Sequence, residues 1–321
     1  MARILVTAPQ LPEALDLLTV THEVIGGQEF MTRDEIASYI GGVDAILSAL
    51  SDPLDAEMIS LAGPGLKIIA QCAAGFNNID VAAAKQRGIQ VSTTPGVLHE
   101  ATADTAFMLM LMVTRRAGEA ERWVRDHKPW RYSHTFMLGT GLQGAQLGII
   151  GLGQIGEAMG RRAAVLGMDV VYSSRSDKDL SAIDGVNPDT APTRRVELGE
   201  LLETSDVVSL HCPLTPETRH IIDAAALAQM KDTAFLVNTA RGACVDEAAL
   251  VDALNSGSIA GAGLDVYEDE PTINPALYEM DNVVLLPHIG SATRQTRWMM
   301  SKLAIDNITD VLAGRPARTA L

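Results

Sequence analysis

The stretch Gly151-Leu152-Gly153-Gln154-Ile155-Gly156, directly behind the apolar run 147–150, constrains the fold of this chain more than any other. Its first glycine permits a tight turn, its second lets the backbone approach a pyrophosphate, and its third lets a helix pack closely on a strand. Taken alone, a glycine-rich strand–helix turn also arises for packing reasons. Here an amphipathic pattern runs on to Leu166, and a second strand pattern begins at Asp169. That is the context of a βαβ unit whose helix N-terminus offers free N–H groups to phosphate. The six residues are expected to bind a dinucleotide.

The same alternation fills the chain. Residues 4–8, 43–50, 67–73 and 89–92 are apolar runs short enough to be buried parallel strands. Thr32 with Glu35 forms a capping box, and Gly63 and Gly88 stand where helix C-caps belong. After a helix at about 101–116, further strands are expected at 147–150, 170–172, 207–210, 235–238, 263–266 and 283–286. A last helix, about 292–312, has no strand after it. The pattern predicts an α/β protein of two doubly wound parallel-sheet, Rossmann-like domains, the first ending near residue 98.

A length of 321 residues suffices for two ordinary cores. With 25 basic against 40 acidic side chains the net charge is −15, which disfavours nucleic acid and anionic membrane as partners. The longest strongly apolar run, 106–113, is far below the roughly 20 residues that span a bilayer. The N-terminal MARILVTAPQ reads as a strand rather than a signal peptide. Cys72, Cys212 and Cys244 form neither a disulfide framework nor a CxxC site. A cytoplasmic protein without a metal is expected.

About where a ribose-binding acid belongs, 23 residues after Gly151 (174 − 151), stands Ser174, followed by Arg175 and Ser176. A carboxylate there would repel the 2′-phosphate of NADP, whereas hydroxyls and a guanidinium attract it. The segment is either an NADP site or a solvated turn, and the lack of an acid before Asp177 favours the first. Three other stretches place polar groups just past expected strands: VNTARGACVDE at Arg241, AGLDVYEDEP at Glu270 and LLPHIGSAT at His288. Such a trio suits reduction of a 2-keto acid. The arginine would hold the carboxylate, the histidine would give a proton to the forming alkoxide, and the glutamate would orient the imidazole. By spacing alone each also fits a bland role, as surface arginine, solvated acid or strand-end histidine. The six other histidines (His22, His99, His127, His134, His211, His220) show no metal-ligand spacing. The segment 123–136, with Trp123, Trp130, Tyr132 and Phe136, is either a packed loop or an arm covering a partner subunit.

Together with CAAGFNNID, TTPGVLHEATADTAF and SLHCPLTPETRHII, these stretches make the sequence recognisable. It resembles the D-isomer-specific 2-hydroxyacid dehydrogenases over essentially its whole length, and among them the glyoxylate/hydroxypyruvate reductases. The resemblance implies catalytic roles for Arg241, Glu270 and His288, and a substrate carboxylate held by the N–H groups of Ala74 and Gly75. It implies that Thr239, Ala240, Asp265 and Gly290 line the nicotinamide, together with Arg241 and His288, and that Cys212 and Pro213 lie near the adenosine. Ser174-Arg175-Ser176 is similar to the NADPH-preferring members, with NADH as a weaker cofactor. Ala73-Ala74 departs from the valine that many members carry before the glycine, which bears on substrate preference.

The resemblance further implies a flavodoxin-like substrate domain, 1–98, completed by the C-terminal helix 292–321, and an NAD(P)-binding domain, 99–291. It resolves the aromatic segment into a dimerisation arm, about 117–146, of a homodimer. The expected reaction is NADPH-dependent reduction of glyoxylate and hydroxypyruvate to glycolate and D-glycerate. The alternatives are a broader dehydrogenase acting on pyruvate or bulkier 2-keto acids, and a non-enzymatic nucleotide-sensing corepressor of similar fold. Formate dehydrogenase, which pairs its histidine with glutamine, fits less well because Glu270 is present.

Overall fold

A computed structural model describes all 321 residues, which form two compact units: 1–98 with 291–321, and 99–290. The first unit is built on five strands, β1 (Arg3–Val6), β2 (Glu23–Gly26), β3 (Ala45–Ser48), β4 (Ile68–Gln71) and β5 (Gln90–Ser92). All pair in parallel, in the order β2-β1-β3-β4-β5. This is the flavodoxin-like order, and parallel neighbours require the helical crossovers that cover both faces. On one face Ile36, Ile40, Met58 and Ile59 pack on Leu5, Ile46 and Ile69. On the other the long helix Arg294–Leu312 lays Ala304, Ile305, Ile308 and Val311 against Ile4, Val6, Leu47, Ile68 and Ala70. The Thr32–Glu35 capping box is formed in both directions.

The second unit contains seven strands: β6 (Gln146–Ile150), β7 (Asp169–Ser173), β8 (Arg194–Arg195), β9 (Val207–Leu210), β10 (Phe235–Asn238), β11 (Gly261–Leu264) and β12 (Val283–Leu285). They run in parallel in the order β12-β11-β10-β9-β6-β7-β8. The central strands are buried along their length, as expected of a sheet covered on both faces. The fold class is thus the expected one, two parallel-sheet α/β units. Two edge strands, β2 and β8, lay outside the sequence expectation, and β11 begins two residues earlier than expected. No helix is long and apolar enough to cross a membrane.

Residues 117–146 open with the helix Ala117–Arg125, which buries none of its residues. The Trp123 and Phe136 rings then meet edge to face at 5.9 Å. Trp130 is 62% and Tyr132 82% exposed, so the segment presents an aromatic surface.

Candidate active site

Because the strands of the second unit are parallel, their C-terminal ends lie side by side along one edge of the sheet. The loops leaving β12, β11, β10, β9, β6 and β7 carry, in that order, His288, Glu270, Arg241, Cys212, Gly151 and Ser174. Sequence positions as far apart as Gly151 and Cys212, 61 residues (212 − 151), thus become neighbours along one edge. The chain order turns back between β6 and β9, and in open α/β sheets ligands bind outside the carboxyl ends at such a switch point.

At the β12 end, His288 Nδ1 lies 2.7 Å from Glu270 Oε2, an ion pair when the imidazole is protonated. The other Glu270 oxygen accepts the Tyr267 N–H at 3.0 Å, so the carboxylate is fixed at both ends. Burial raises the Glu270 carboxyl, but the His288 hydrogen bond and charge, the Tyr267 N–H and Arg241 outweigh it and hold it below its ordinary range. His288 itself is set by its backbone: its φ of 54° lies in the left-handed region, unfavourable for a residue with a Cβ. The turn is held there by Asp265, whose two carboxylate oxygens each accept one N–H at 2.7 Å, from Ile289 and Gly290. Burial draws the Asp265 carboxyl upward, against those N–H groups and the His288 charge.

Arg241 is placed by its neighbours. Asn238 Nδ2 donates to its carbonyl at 2.9 Å, and the Gly242 backbone runs against the 267–268 peptide. A Cβ on Gly242 would stand 1.8 Å from the Tyr267 carbonyl carbon, so only glycine permits this approach. Burial lowers the pKa of the Arg241 guanidinium and the Glu270 charge opposes that shift, which marks the two as electrostatic neighbours. Arginine, glutamate and histidine therefore converge, with a half-buried cation beside a carboxylate–imidazole pair.

The glycine turn fits a dinucleotide. Gly151 has φ 93°, and a Cβ there would meet the Cys212 backbone nitrogen at 2.6 Å. A Cβ on Gly156 would meet the Gly151 carbonyl oxygen at 2.5 Å, whereas one on Gly153 would meet nothing within 4 Å. The first and third glycines thus serve turn and packing, and the second leaves an open approach beside Leu152, Gln154 and Ile155. The helix Gln154–Val165 starts without a side-chain cap, leaving its first N–H groups for a ligand. Beside Ala240, the buried Thr239 hydroxyl has no partner within the protein, as expected of a group that meets a cofactor. Cys212 is buried at the turn and Pro213 exposed next to it. After β7, Ser174 Oγ donates to the Ser176 carbonyl at 2.6 Å, and Arg175 and Ser176 are exposed. No group of three or more His, Cys, Asp or Glu is placed to hold a metal ion.

In the first unit, exposed Ala74 and half-buried Gly75 follow β4. Gln71 Nε2 donates to the Gly75 carbonyl at 3.3 Å and to Asn78 Oδ1 at 2.7 Å, while Ser48 Oγ donates to Gln71 Oε1 at 2.6 Å. Asn78 Nδ2 in turn donates to the carbonyls of Ala49 and Asp52. This amide relay holds the Ala74–Gly75 loop. Sequence reasoning missed it, along with the Tyr267 N–H and the Asp265 clamp. Two amides flanking a glycine, Gln71 at the end of β4 and Asn78 in the turn after Gly75, were the available signal.

Residues 107–290 match the family model of the D-isomer specific 2-hydroxyacid dehydrogenase NAD binding domain. The chain is 42% identical to a glyoxylate reductase of Aeropyrum pernix, over 98% of this chain and 93% of that protein. It is 48% identical to a glyoxylate reductase of Thermococcus litoralis, over 86% of this chain and 82% of that one. The crystal structure of an NADPH-dependent glyoxylate/hydroxypyruvate reductase from Sinorhizobium meliloti, in complex with NADP and malonate, superposes with a TM-score of 0.84. It is 33% identical and covers 100% of this chain and 96% of that one.

Proposed function

The chain belongs to the D-isomer-specific 2-hydroxyacid dehydrogenase family, and on that premise we propose that it reduces glyoxylate and hydroxypyruvate with NADPH, yielding glycolate and D-glycerate. The observation that carries this reading is the Glu270–His288 pair at 2.7 Å beside the half-buried Arg241. Bound NADPH would supply a hydride to the 2-keto carbon. Arg241 holds the keto acid by charge-assisted hydrogen bonds and polarises its carbonyl oxygen. His288, its Nδ1 engaged by Glu270, keeps Nε2 free to donate a proton to that oxygen as negative charge develops there. Glu270 fixes the plane of the imidazole and balances its positive charge. The N–H groups of Ala74 and Gly75 serve the substrate carboxylate.

NADPH over NADH is supported by the loop after β7, which offers Ser174, Arg175 and Ser176 where an NAD enzyme carries an acid. The Sinorhizobium meliloti relative is likewise NADPH-dependent. Residues 1–98 with the helix from 292 onward form the substrate domain, and 99–291 the NAD(P)-binding domain. The exposed aromatics of 117–146 support a homodimer formed through that arm.

The test is direct. NADPH oxidation with glyoxylate, hydroxypyruvate, pyruvate and phenylpyruvate, repeated with NADH, ranks substrates and cofactors together. His288→Ala is expected to lower turnover by ~100-fold or more, the scale of a lost general acid, with NADPH binding nearly intact. Absence of activity with every keto acid would leave only a nucleotide-sensing role.

A further inference from the structure

The loop after β7 contains one feature that its serines and arginine do not account for: Asp177, a carboxylate one residue beyond the place assigned to a dianionic phosphate. In the register of the edge pair, Arg195 of β8 stands opposite Tyr172 of β7, and paired residues share a face of the sheet. On that face the Tyr172 hydroxyl accepts the Lys178 N–H at 3.2 Å, which folds the loop over the strand. Arg195 Nη1 then donates to Asp177 Oδ1 at 3.1 Å. The neighbouring Arg194 points the other way and pairs with Glu200 at 2.6 Å. Of the two arginines on β8, one therefore serves the loop.

We propose that Arg195 is a second determinant of cofactor choice, a positioning residue that cancels the Asp177 charge beside the 2′-phosphate site and holds that carboxylate away from it. The inference rests on the NADPH reading above. The side chains of Arg195 and Asp177 are 40% and 86% exposed. A pair so exposed adds little to folding stability, so its consequence lies in the local field. Asp177 takes Arg195 as its partner, while Arg175 lies near enough to Glu217 to act on that carboxyl. The Glu217 carboxyl is held below its ordinary range first by the Thr215 hydroxyl and its own backbone N–H, and also by Arg175.

Direct binding tests the proposal without turnover. Calorimetric titration with adenosine 2′,5′-bisphosphate, against 5′-AMP as the ligand lacking the 2′-phosphate, is run at low and fixed ionic strength. Arg195→Gln should weaken the bisphosphate about three- to tenfold, the scale of one exposed charge acting on a dianion, and leave AMP unchanged. Adding Asp177→Asn to Arg195→Gln should restore bisphosphate affinity, because the repelling group is gone. Bisphosphate binding unmoved by Arg195→Gln overturns the inference. So does a double variant as weak as the single one, since the guanidinium would then touch the phosphate itself. Equal affinity of the wild-type protein for the two ligands overturns the NADPH reading, and this inference with it.

Discussion

Replacing Glu270 by Gln keeps the shape of the side chain and removes its charge. The amide has a single acceptor oxygen, which can take either the Tyr267 N–H, now 3.0 Å from Oε1, or the His288 Nδ1–H, and its NH2 then faces the other donor. What disappears is the anion 2.7 Å from the ring. Both side chains are about a third exposed, 33% for His288 and 34% for Glu270, so water screens the pair. With about 4 Å between charge centres and an effective dielectric of about 40–80, the interaction is ~1–2 kcal/mol. At about 1.4 kcal/mol per tenfold, kcat/KM for keto-acid reduction should fall by about five- to thirtyfold at neutral pH, since the cationic imidazole that gives the proton loses its partner. The Glu270 carboxyl is held below its ordinary range, so the parent keeps this advantage through the usual carboxylate range and loses it only in more acid solution, where Glu270 itself takes a proton. Variant and parent should therefore converge toward acid pH, and salt should shrink the gap. A profile identical in shape, or one lowered equally at every pH, would refute the electrostatic role and leave Glu270 as a brace.

Arg241→Ala should raise the keto-acid KM and lower kcat together while NADPH binding, read by fluorescence titration, holds. Indifference to the change rules out the mechanism. Arg175→Ala should raise the NADPH KM about ten- to a hundredfold, since a hydrogen bond to a charged group is worth roughly 1.5–3 kcal/mol. NADH should hardly respond, and Ser174→Asp should reverse the preference; equal weakening of both cofactors would make Arg175 a solvated turn residue. Trp130→Ala with Phe136→Ala should weaken a dimer seen by sedimentation, because buried aromatics dominate interfaces, and a fully active monomer would dismiss the arm. Gly242→Ala should lower stability by about 1–3 kcal/mol or more and cripple turnover, as its Cβ would collide with the Tyr267 backbone. A parent-like melt and rate would show that the loop yields.

Periodicity made the central strands legible because parallel strands covered on both faces are continuous apolar runs, such as 207–210 and 235–238. The edges were not. Glu23–Gly26 carries a glutamate and a glycine, and Arg194–Arg195 is all charge, as befits strands that must not recruit another chain. β11 was misplaced because Gly261-Ala262-Gly263 has no strand propensity and is set by close packing, with Leu109 Cβ 3.0 Å from where a Gly263 Cβ would lie. At the site, Arg241, Glu270 and His288 could be picked out because each follows an expected strand. What holds them was not visible: a Tyr267 N–H and the two Asp265 oxygens act through geometry that spacing does not encode. The Arg195–Asp177 pair is hidden for the same reason, since it needs a two-residue strand to exist.

The helix Arg294–Leu312 belongs to the sheet formed by residues 3–92, although 99–290 are synthesised in between. At about 5–20 residues per second, the ribosome needs roughly 10–45 s to pass from residue 98 to 321. Throughout that interval Ile4, Val6, Leu47, Ile68 and Ala70 lack the face that finally covers them. The contiguous second unit has its whole sequence available earlier and matures first, while the unit begun first is finished last. A released chain truncated before residue 294 would therefore carry a complete dinucleotide-binding unit joined to an open, sticky sheet, a substrate for chaperones.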